Sequence, residues 1–168
     1  IEGLLAVCEG QALDKEFETQ EIVTIDDYIR MIDLKTGHMV GLAAELGAIS
    51  GGVDSETCQA IRDYGRLVGR AFQIQDDYLE IFSTSFNMGK SLESDIILGK
   101  KTFLMIQALQ KNSSMMGNAL KTAQTDYEKG IGIIRDYLEN EGIKDTVQRE
   151  IDNILKLADM KLSGLSID

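Results

Sequence analysis

The stretch FQIQDDYLE, residues 72–80, places three carboxylates within five positions of an otherwise apolar run. Like charges one turn apart destabilise an exposed helix by roughly 0.2–0.5 kcal/mol per pair, so the arrangement needs a reason. The stretch ends a long predicted helix, residues 54–82, whose other side chains near it are mostly apolar. A surface helix has the opposite proportions, so the sequence predicts a buried helix with one polar wedge. Such a wedge must face something polar inside the protein.

The carboxylates in this wedge are Asp76, Asp77 and Glu80. Positions i, i+1 and i+4 converge on one point, where a hard divalent cation could be held. Magnesium prefers oxygen ligands and is often shared with substrate phosphates. A solvated acidic stripe is the alternative interpretation, but the apolar surroundings favour a functional site.

A near copy of the stretch, DDYIR at residues 26–30, has a different explanation. Thr24 is a good N-cap residue, and Asp27 stands where a capping box requires an acidic side chain. Negative charge in a first helical turn is favoured by the helix dipole. Arg30 replaces the third carboxylate, so we expect this copy to be structural.

A lysine interrupts an apolar stripe on the predicted helix of residues 24–49. Lys35, with Thr36 beside it, lies among apolar side chains that share one face: Tyr28, Ile32, Met39, Leu42 and Leu46. Snorkelling towards solvent works poorly near mid-helix, so a charged lysine there needs an anion. Farther along, Lys90 and Lys100 each follow a glycine in the loop of residues 83–101. Flexible lysines of this kind suit a lid that closes over phosphate, although a loop charge is more often only solvated.

The composition predicts an all-α protein, an antiparallel bundle of helices. The 168 residues include no proline, and helical periodicity covers residues 2–18, 24–49, 54–82, 102–110, 112–139 and 143–162. A net charge of −11 argues against nucleic acid or an anionic membrane surface as the main partner. There is no apolar run of membrane length. Cys8 and Cys58 lie in apolar helical patterns and are expected to be reduced, which indicates the cytoplasm.

The sequence resembles, at four motifs in matching order, the trans-isoprenyl diphosphate synthases, such as farnesyl and geranylgeranyl diphosphate synthases. FQIQDDYLE, then MGK and SDIILGKKT, look like that family's second aspartate-rich motif and its downstream lysines. CEGQALD resembles its GQ-x-x-D segment, and LKTG resembles its Lys-Thr motif. Order and spacing agree up to about Thr102, which makes the resemblance specific.

The resemblance implies the isoprenoid synthase fold over residues 1–168, and a homodimer. It also implies a reaction in which Mg²⁺ and basic residues bind an allylic diphosphate and help to ionise its C–O bond. Isopentenyl diphosphate then attacks the carbocation and a proton is lost. By matching position, Asp76 is expected to touch metal directly, and Asp77 and Glu80 directly or through water.

The resemblance also implies the residues that act on substrate. The expected catalytic and substrate-binding side chains are Lys35, Thr36, Gln73, Lys90 and Lys100. Lys35 and Lys100 are expected to contact the allylic diphosphate, with Lys90 helping. Thr36 and Gln73 are expected to lie near the reacting carbons, and Gln11 to help shape the pocket.

The chain departs from the family pattern at a few positions. Glu80 stands at a position that is more often aspartate, and Gly37 at one that is usually alanine. The first aspartate-rich motif is expected to precede Ile1, so we interpret the chain as the C-terminal portion of a synthase and expect it to be inactive alone. The alternatives are a non-catalytic helical partner subunit and, less in keeping with the lysines, a terpene cyclase. A requirement for isopentenyl diphosphate would separate elongation from cyclisation.

Overall fold

The computed structural model describes residues 1–83 and 99–165, and within these ranges all regular structure is helical. The predicted all-α class is therefore confirmed. The elements are α1 Glu2–Thr19, α2 Ile25–Ile32, a π-helical segment Asp33–Gly37, α3 His38–Ser50, α4 Ser55–Phe82, α5 Phe103–Thr125, α6 Tyr127–Asn140 and α7 Ile143–Leu162. The predicted lid with Lys90 falls in residues 84–98, outside the described residues.

Local signals set several helix ends, among them the predicted start of α2. The Thr24 hydroxyl accepts a hydrogen bond of 3.1 Å from the backbone N–H of Asp27, and the Asp27 carboxylate accepts one of 3.0 Å from the N–H of Thr24. This reciprocal pair is a capping box at the start of α2. Asp54 caps α4 by accepting a hydrogen bond of 2.9 Å from the N–H of Thr57. Gly52 follows α3 with a φ of +75°, a conformation that glycine adopts without strain.

A π-helical turn divides the predicted helix of residues 24–49. One extra residue in a turn rotates all later side chains by about 100° relative to an unbroken α-helix. Tyr28 and Ile32, before the turn, are buried, whereas Met39 and Leu46, after it, are exposed. The prediction of one apolar face along the whole helix was therefore wrong, because it assumed a constant period.

The chain divides into two compact units. Unit 1 comprises Ile1–Leu13, Ile29–Gln73 and Glu150–Asp168, and unit 2 comprises Asp14–Tyr28 and Ile74–Arg149. In unit 1, α3 and α4 approach closely through glycine: a Cβ added to Gly65 would lie 2.9 Å from the Cα of Gly41. At this point the two helices approach backbone to backbone.

In unit 2, the predicted helix of residues 112–139 is two helices. The chain breaks at Asp126, which has an extended backbone and caps α6 by accepting a hydrogen bond of 3.1 Å from the N–H of Lys129. The break lets α6 fold back onto α5, and a Cβ added to Gly130 would lie 2.3 Å from the backbone N of Ala123. The predicted boundary before residue 112 is a kink inside α5, where Asn112 is non-helical.

Candidate functional site

The three carboxylates of α4 lie in different environments. Asp77 and Glu80 are buried, with 2% and 8% of their surface exposed, whereas Asp76 is exposed. Phe72 and Leu79, one turn on either side of Asp76, are exposed as well. The carboxylates of the polar wedge are therefore partly buried, at Asp77 and Glu80, and partly exposed, at Asp76. The prediction of a buried helix was wrong for the exposed side of α4.

Asp77 is held by a tyrosine from α2. The Tyr28 hydroxyl donates a hydrogen bond of 2.7 Å to Oδ2 of Asp77, and the tyrosine ring is 1% exposed. Burial, together with the negative charge of Asp77 and neighbouring carboxylates, raises the pKa of Tyr28 well above its ordinary value. A neutral hydroxyl that donates to an ionised carboxylate makes a strong, directional bond. Asp77 is therefore fixed in orientation as well as in position.

Sequence reasoning missed Tyr28, which was counted only as one member of an apolar stripe. Its partner lies 49 residues later in the chain, so local pattern could not reveal the pair. Sequence reasoning also missed Asp14, the last residue of CEGQALD. Asp14 is buried, and its negative charge contributes to the raised pKa of Tyr28. Its place as the acidic residue that ends the GQ-x-x-D segment was the sequence signal that could have identified it.

The C-terminal end of α4 is tied down immediately after Glu80. Arg135 of α6 donates hydrogen bonds to the backbone carbonyls of Ile81 and Ser83, the latter at 3.3 Å. A cation is favourable at this end of a helix, where the carbonyl groups lack intrahelical partners. Lys144 also lies over the ring of Phe82, 4.6 Å from its centroid.

Lys100 lies at the start of the second described range, just before α5. Gly99, with a φ of +73°, makes the turn that precedes it, and Lys100 is half-buried. Two residues later, buried Thr102 caps α5 by accepting a hydrogen bond of 3.3 Å from the N–H of Met105. The cap fixes the backbone close to Lys100.

In unit 1, the structure brings two of the predicted site residues together. Lys35 and Thr36 lie on the π-helical segment, and the Thr36 hydroxyl donates a hydrogen bond of 2.9 Å to Oε1 of Gln73 on α4. Helix α1 lies against the same segment, since a Cβ added to Gly10 would be 2.4 Å from the backbone N of Lys35. Gln11, the next residue of α1, is exposed.

The acidic residues of α4 suit magnesium by their chemistry. Among residues 1–83 and 99–165, no group of three or more His, Cys, Asp or Glu side chains is arranged to hold a metal ion. Magnesium takes only one or two protein carboxylates and completes its shell with water and substrate phosphates. The exposed carboxylate of Asp76 meets that requirement. The assignment of Mg²⁺ to Asp76, Asp77 and Glu80 stays a prediction.

Comparison with known proteins shows the family. The model of the polyprenyl synthetase family matches residues 1–138. A short chain isoprenyl diphosphate synthase of Methanothermobacter thermautotrophicus is 42% identical over 113 residues, which are 67% of this chain and 35% of that protein. A geranylgeranyl diphosphate synthase of Saccharolobus solfataricus is 32% identical over 173 residues, with 98% of this chain and 49% of that protein covered.

Solved structures agree with this assignment. The crystal structure of geranylgeranyl pyrophosphate synthetase from Pyrococcus horikoshii superposes with a TM-score of 0.84 at 33% identity, covering 99% of this chain and 51% of that one. The chain therefore belongs to the polyprenyl synthetase family and has its all-α isoprenoid synthase fold. It spans about half the length, or less, of these relatives. A membrane-spanning helix, which needs about 20 apolar residues, is not found in residues 1–83 and 99–165.

Proposed function

We propose that this protein is a prenyltransferase that condenses isopentenyl diphosphate with an allylic diphosphate in isoprenoid biosynthesis. The observation that carries the proposal is the buried Tyr28–Asp77 hydrogen bond, which orients the acid-rich stretch of a polyprenyl synthetase chain. The names of the relatives, which are short-chain isoprenyl and geranylgeranyl diphosphate synthases, support the same reaction.

In this proposal, the basic residues bind the allylic diphosphate. Lys35 and Lys100 contact its phosphate oxygens, with Lys90 helping, because ammonium groups make short charge-assisted hydrogen bonds to phosphate. Their positive charges favour the departing diphosphate more than the intact substrate, since negative charge grows on the leaving group as the C–O bond breaks.

The acidic residues hold the metal. Asp76 binds Mg²⁺ directly, and Asp77 and Glu80 act directly or through water. Bound Mg²⁺ would supply Lewis-acid neutralisation of the diphosphate. Tyr28 holds Asp77 in the orientation for this role, since its buried hydroxyl donates a hydrogen bond to the carboxylate.

The polar pair of unit 1 acts near the reacting carbons. Thr36 and Gln73 are linked by a hydrogen bond of 2.9 Å, which holds both side chains in one arrangement. Preorganised oxygen dipoles stabilise positive charge that develops on the allylic carbon. Gln11, beside the Gly10–Lys35 contact, helps to shape the pocket.

The proposal includes a homodimer and a cytoplasmic location. Both cysteines, Cys8 and Cys58, are free thiols, which suits a reducing compartment. The homodimer is supported by the family membership alone.

The proposal is tested on the natural gene product that contains this chain. It is incubated with Mg²⁺, labelled isopentenyl diphosphate and geranyl or farnesyl diphosphate, and the prenyl products are separated by length. We expect products longer than the allylic substrate by five-carbon units, and none after chelation of the metal. Diphosphate release that needs no isopentenyl diphosphate would instead identify a cyclase. Substrate binding without turnover would identify a non-catalytic subunit.

A further inference from the structure

A partly buried ion-pair cluster, formed by Asp33, Arg66 and Arg70, lies beside the Lys-Thr segment in unit 1. Asp33 is 7% exposed, and its Oδ1 accepts a hydrogen bond of 2.8 Å from Nε of Arg70. Arg66 donates to both carboxylate oxygens, through Nη2 to Oδ2 and through Nε to Oδ1 at 3.3 Å. Burial alone would raise the pKa of Asp33, but the hydrogen bonds from Arg70 and Arg66 hold it below its ordinary value. The carboxylate is therefore ionised and bound on two sides.

Asp33 also closes the π-helical turn. Its backbone carbonyl accepts the hydrogen bond from the N–H of His38, five residues later, which defines a π-helical rather than an α-helical turn. The backbone carbonyl of Asp33 thus stabilises the π-helical turn, and its carboxylate binds the arginines of α4. Turns of this kind are rare and persist where the surrounding structure holds them in place.

The far end of the turn is fixed by backbone contact with α4. A Cβ added to Gly69 would lie 2.8 Å from the Cα of Gly37, so the two backbones touch at this point. A Cβ added to Gly37 would lie 2.8 Å from Oδ1 of Asp33 and 3.0 Å from the carbonyl oxygen of Arg66. The carboxylate of Asp33 therefore fills the space beside Gly37. Lys35 and Thr36 lie between two ends that are both anchored to α4.

We propose that Asp33, held by Arg66 and Arg70, is a positioning residue that maintains the π-helical turn and thereby directs Lys35 and Thr36 towards substrate. This inference rests on the proposed function, because it acts through Lys35. The ion-pair cluster contributes no direct contact with the diphosphate. Its contribution is geometric, since displacement of a binding group by about 1 Å can cost up to about 100-fold in rate.

The decisive variant is Asp33→Asn, assayed in the natural gene product. It keeps the size of the side chain but removes the charge that holds both arginines. We expect kcat/KM for the allylic diphosphate to fall about 10- to 100-fold, and KM for isopentenyl diphosphate to stay within about twofold. The matched control is Glu45→Gln, which breaks the 3.1 Å ion pair between Glu45 of α3 and Arg62 of α4 without touching the π-helical turn. The control is expected to leave both constants unchanged.

A double-mutant cycle with Lys35→Ala separates positioning from general destabilisation. If Asp33 acts through Lys35, Asp33→Asn lowers kcat/KM for the allylic diphosphate by a smaller factor in Lys35→Ala than in the wild type, and the loss that remains reflects Thr36. Fully additive losses would overturn the inference and leave the proposed function standing. Unchanged kinetics in Lys35→Ala itself would overturn both the role of Lys35 and this inference.

A second variant decides the matter if Asp33→Asn does not fold. Arg70→Lys keeps the positive charge but loses the rigid Nε–H that donates to Oδ1 of Asp33. Thermal unfolding is recorded for every variant alongside the kinetics. A folded Arg70→Lys protein with a reduced kcat/KM for the allylic diphosphate alone supports the inference, and one with wild-type kinetics contradicts it.

Discussion

Tyr28 and Asp77 form a buried hydrogen bond of 2.7 Å between α2 and α4, from the tyrosine hydroxyl to Oδ2 of the carboxylate. Tyr28 also packs edge-on against Phe103 of α5, with ring centroids 6.0 Å apart. One side chain thus joins the acid-rich stretch to the first turn of α5. The stability of unit 2 and the orientation of Asp77 therefore depend on the same residue.

Replacing Tyr28 by phenylalanine should lower the free energy of unfolding. The ring packing is kept, but the hydrogen bond to a charged group is lost, which costs about 1.5–3 kcal/mol. Urea unfolding at neutral pH measures the change. Tyr78→Phe is the matched control, since Tyr78 is half-buried on the same helix as Asp77 and its hydroxyl makes no hydrogen bond in the part of the chain described. Equal stability losses in the two variants would contradict the assignment.

If Asp76 binds Mg²⁺ as proposed, Asp76→Asn should lower turnover at least about 100-fold, because a bound metal ion contributes several kcal/mol of charge stabilisation in the transition state. Since Asp76 is exposed, the substitution should change the free energy of unfolding of the protein by only about 0.5 kcal/mol. The near copy provides the control: Asp26→Asn alters an exposed aspartate in the first turn of α2 and should leave turnover unchanged. Steady-state rates with Mg²⁺ and both substrates decide the point. Near wild-type rates for Asp76→Asn would remove this residue from the site.

The ion pairs of Asp33 should make part of the stability depend on pH. The pKa of Asp33 is lowered in the folded chain from its ordinary value of 3.8. The folded state therefore holds this proton less tightly than the unfolded state, so the stabilisation is present above about pH 3.8 and is lost as pH falls through the folded pKa. Urea unfolding of wild type and Asp33→Asn between pH 7 and pH 3 should show their stabilities converging in acid. A pH-independent difference would refute this expectation.

Gly130→Ala should destabilise unit 2. The new Cβ would lie 2.3–2.5 Å from backbone and side-chain atoms of Ala123, and the rigid α5 cannot yield without a shift costing about 1–3 kcal/mol. On the same helix, a Cβ at Gly132 would meet nothing within 4 Å. Gly132→Ala should therefore stabilise the protein by about 0.5–1 kcal/mol, through helix propensity alone. Thermal or urea unfolding should move the two variants in opposite directions.

The sequence alone was sufficient for the fold class and for most helix ends. Absence of proline, helical periodicity and capping residues act within a few positions, which is why the Thr24–Asp27 capping box was readable. The sequence also distinguished DDYIR, predicted to be structural at a capped first turn, from FQIQDDYLE, predicted to be functional. The ordered motifs indicated the family that the comparison shows. The helix break at Asp126 was not predicted, because an aspartate within a helical periodic pattern does not by itself mark a helix end.

Only the tertiary structure decided how the candidate site residues are held. The π-helical turn depends on Asp33 meeting arginines 33 and 37 residues later, and Asp77 depends on a tyrosine 49 residues earlier. Periodicity assumes a constant rotation per residue, so it placed Lys35 on a stripe that the extra residue of the turn interrupts. The burial of Asp77 and the exposure of Asp76 likewise follow from packing between distant segments. These partners cannot be read from local sequence, because hydrogen bonds and ion pairs between distant residues form only once the helices have packed.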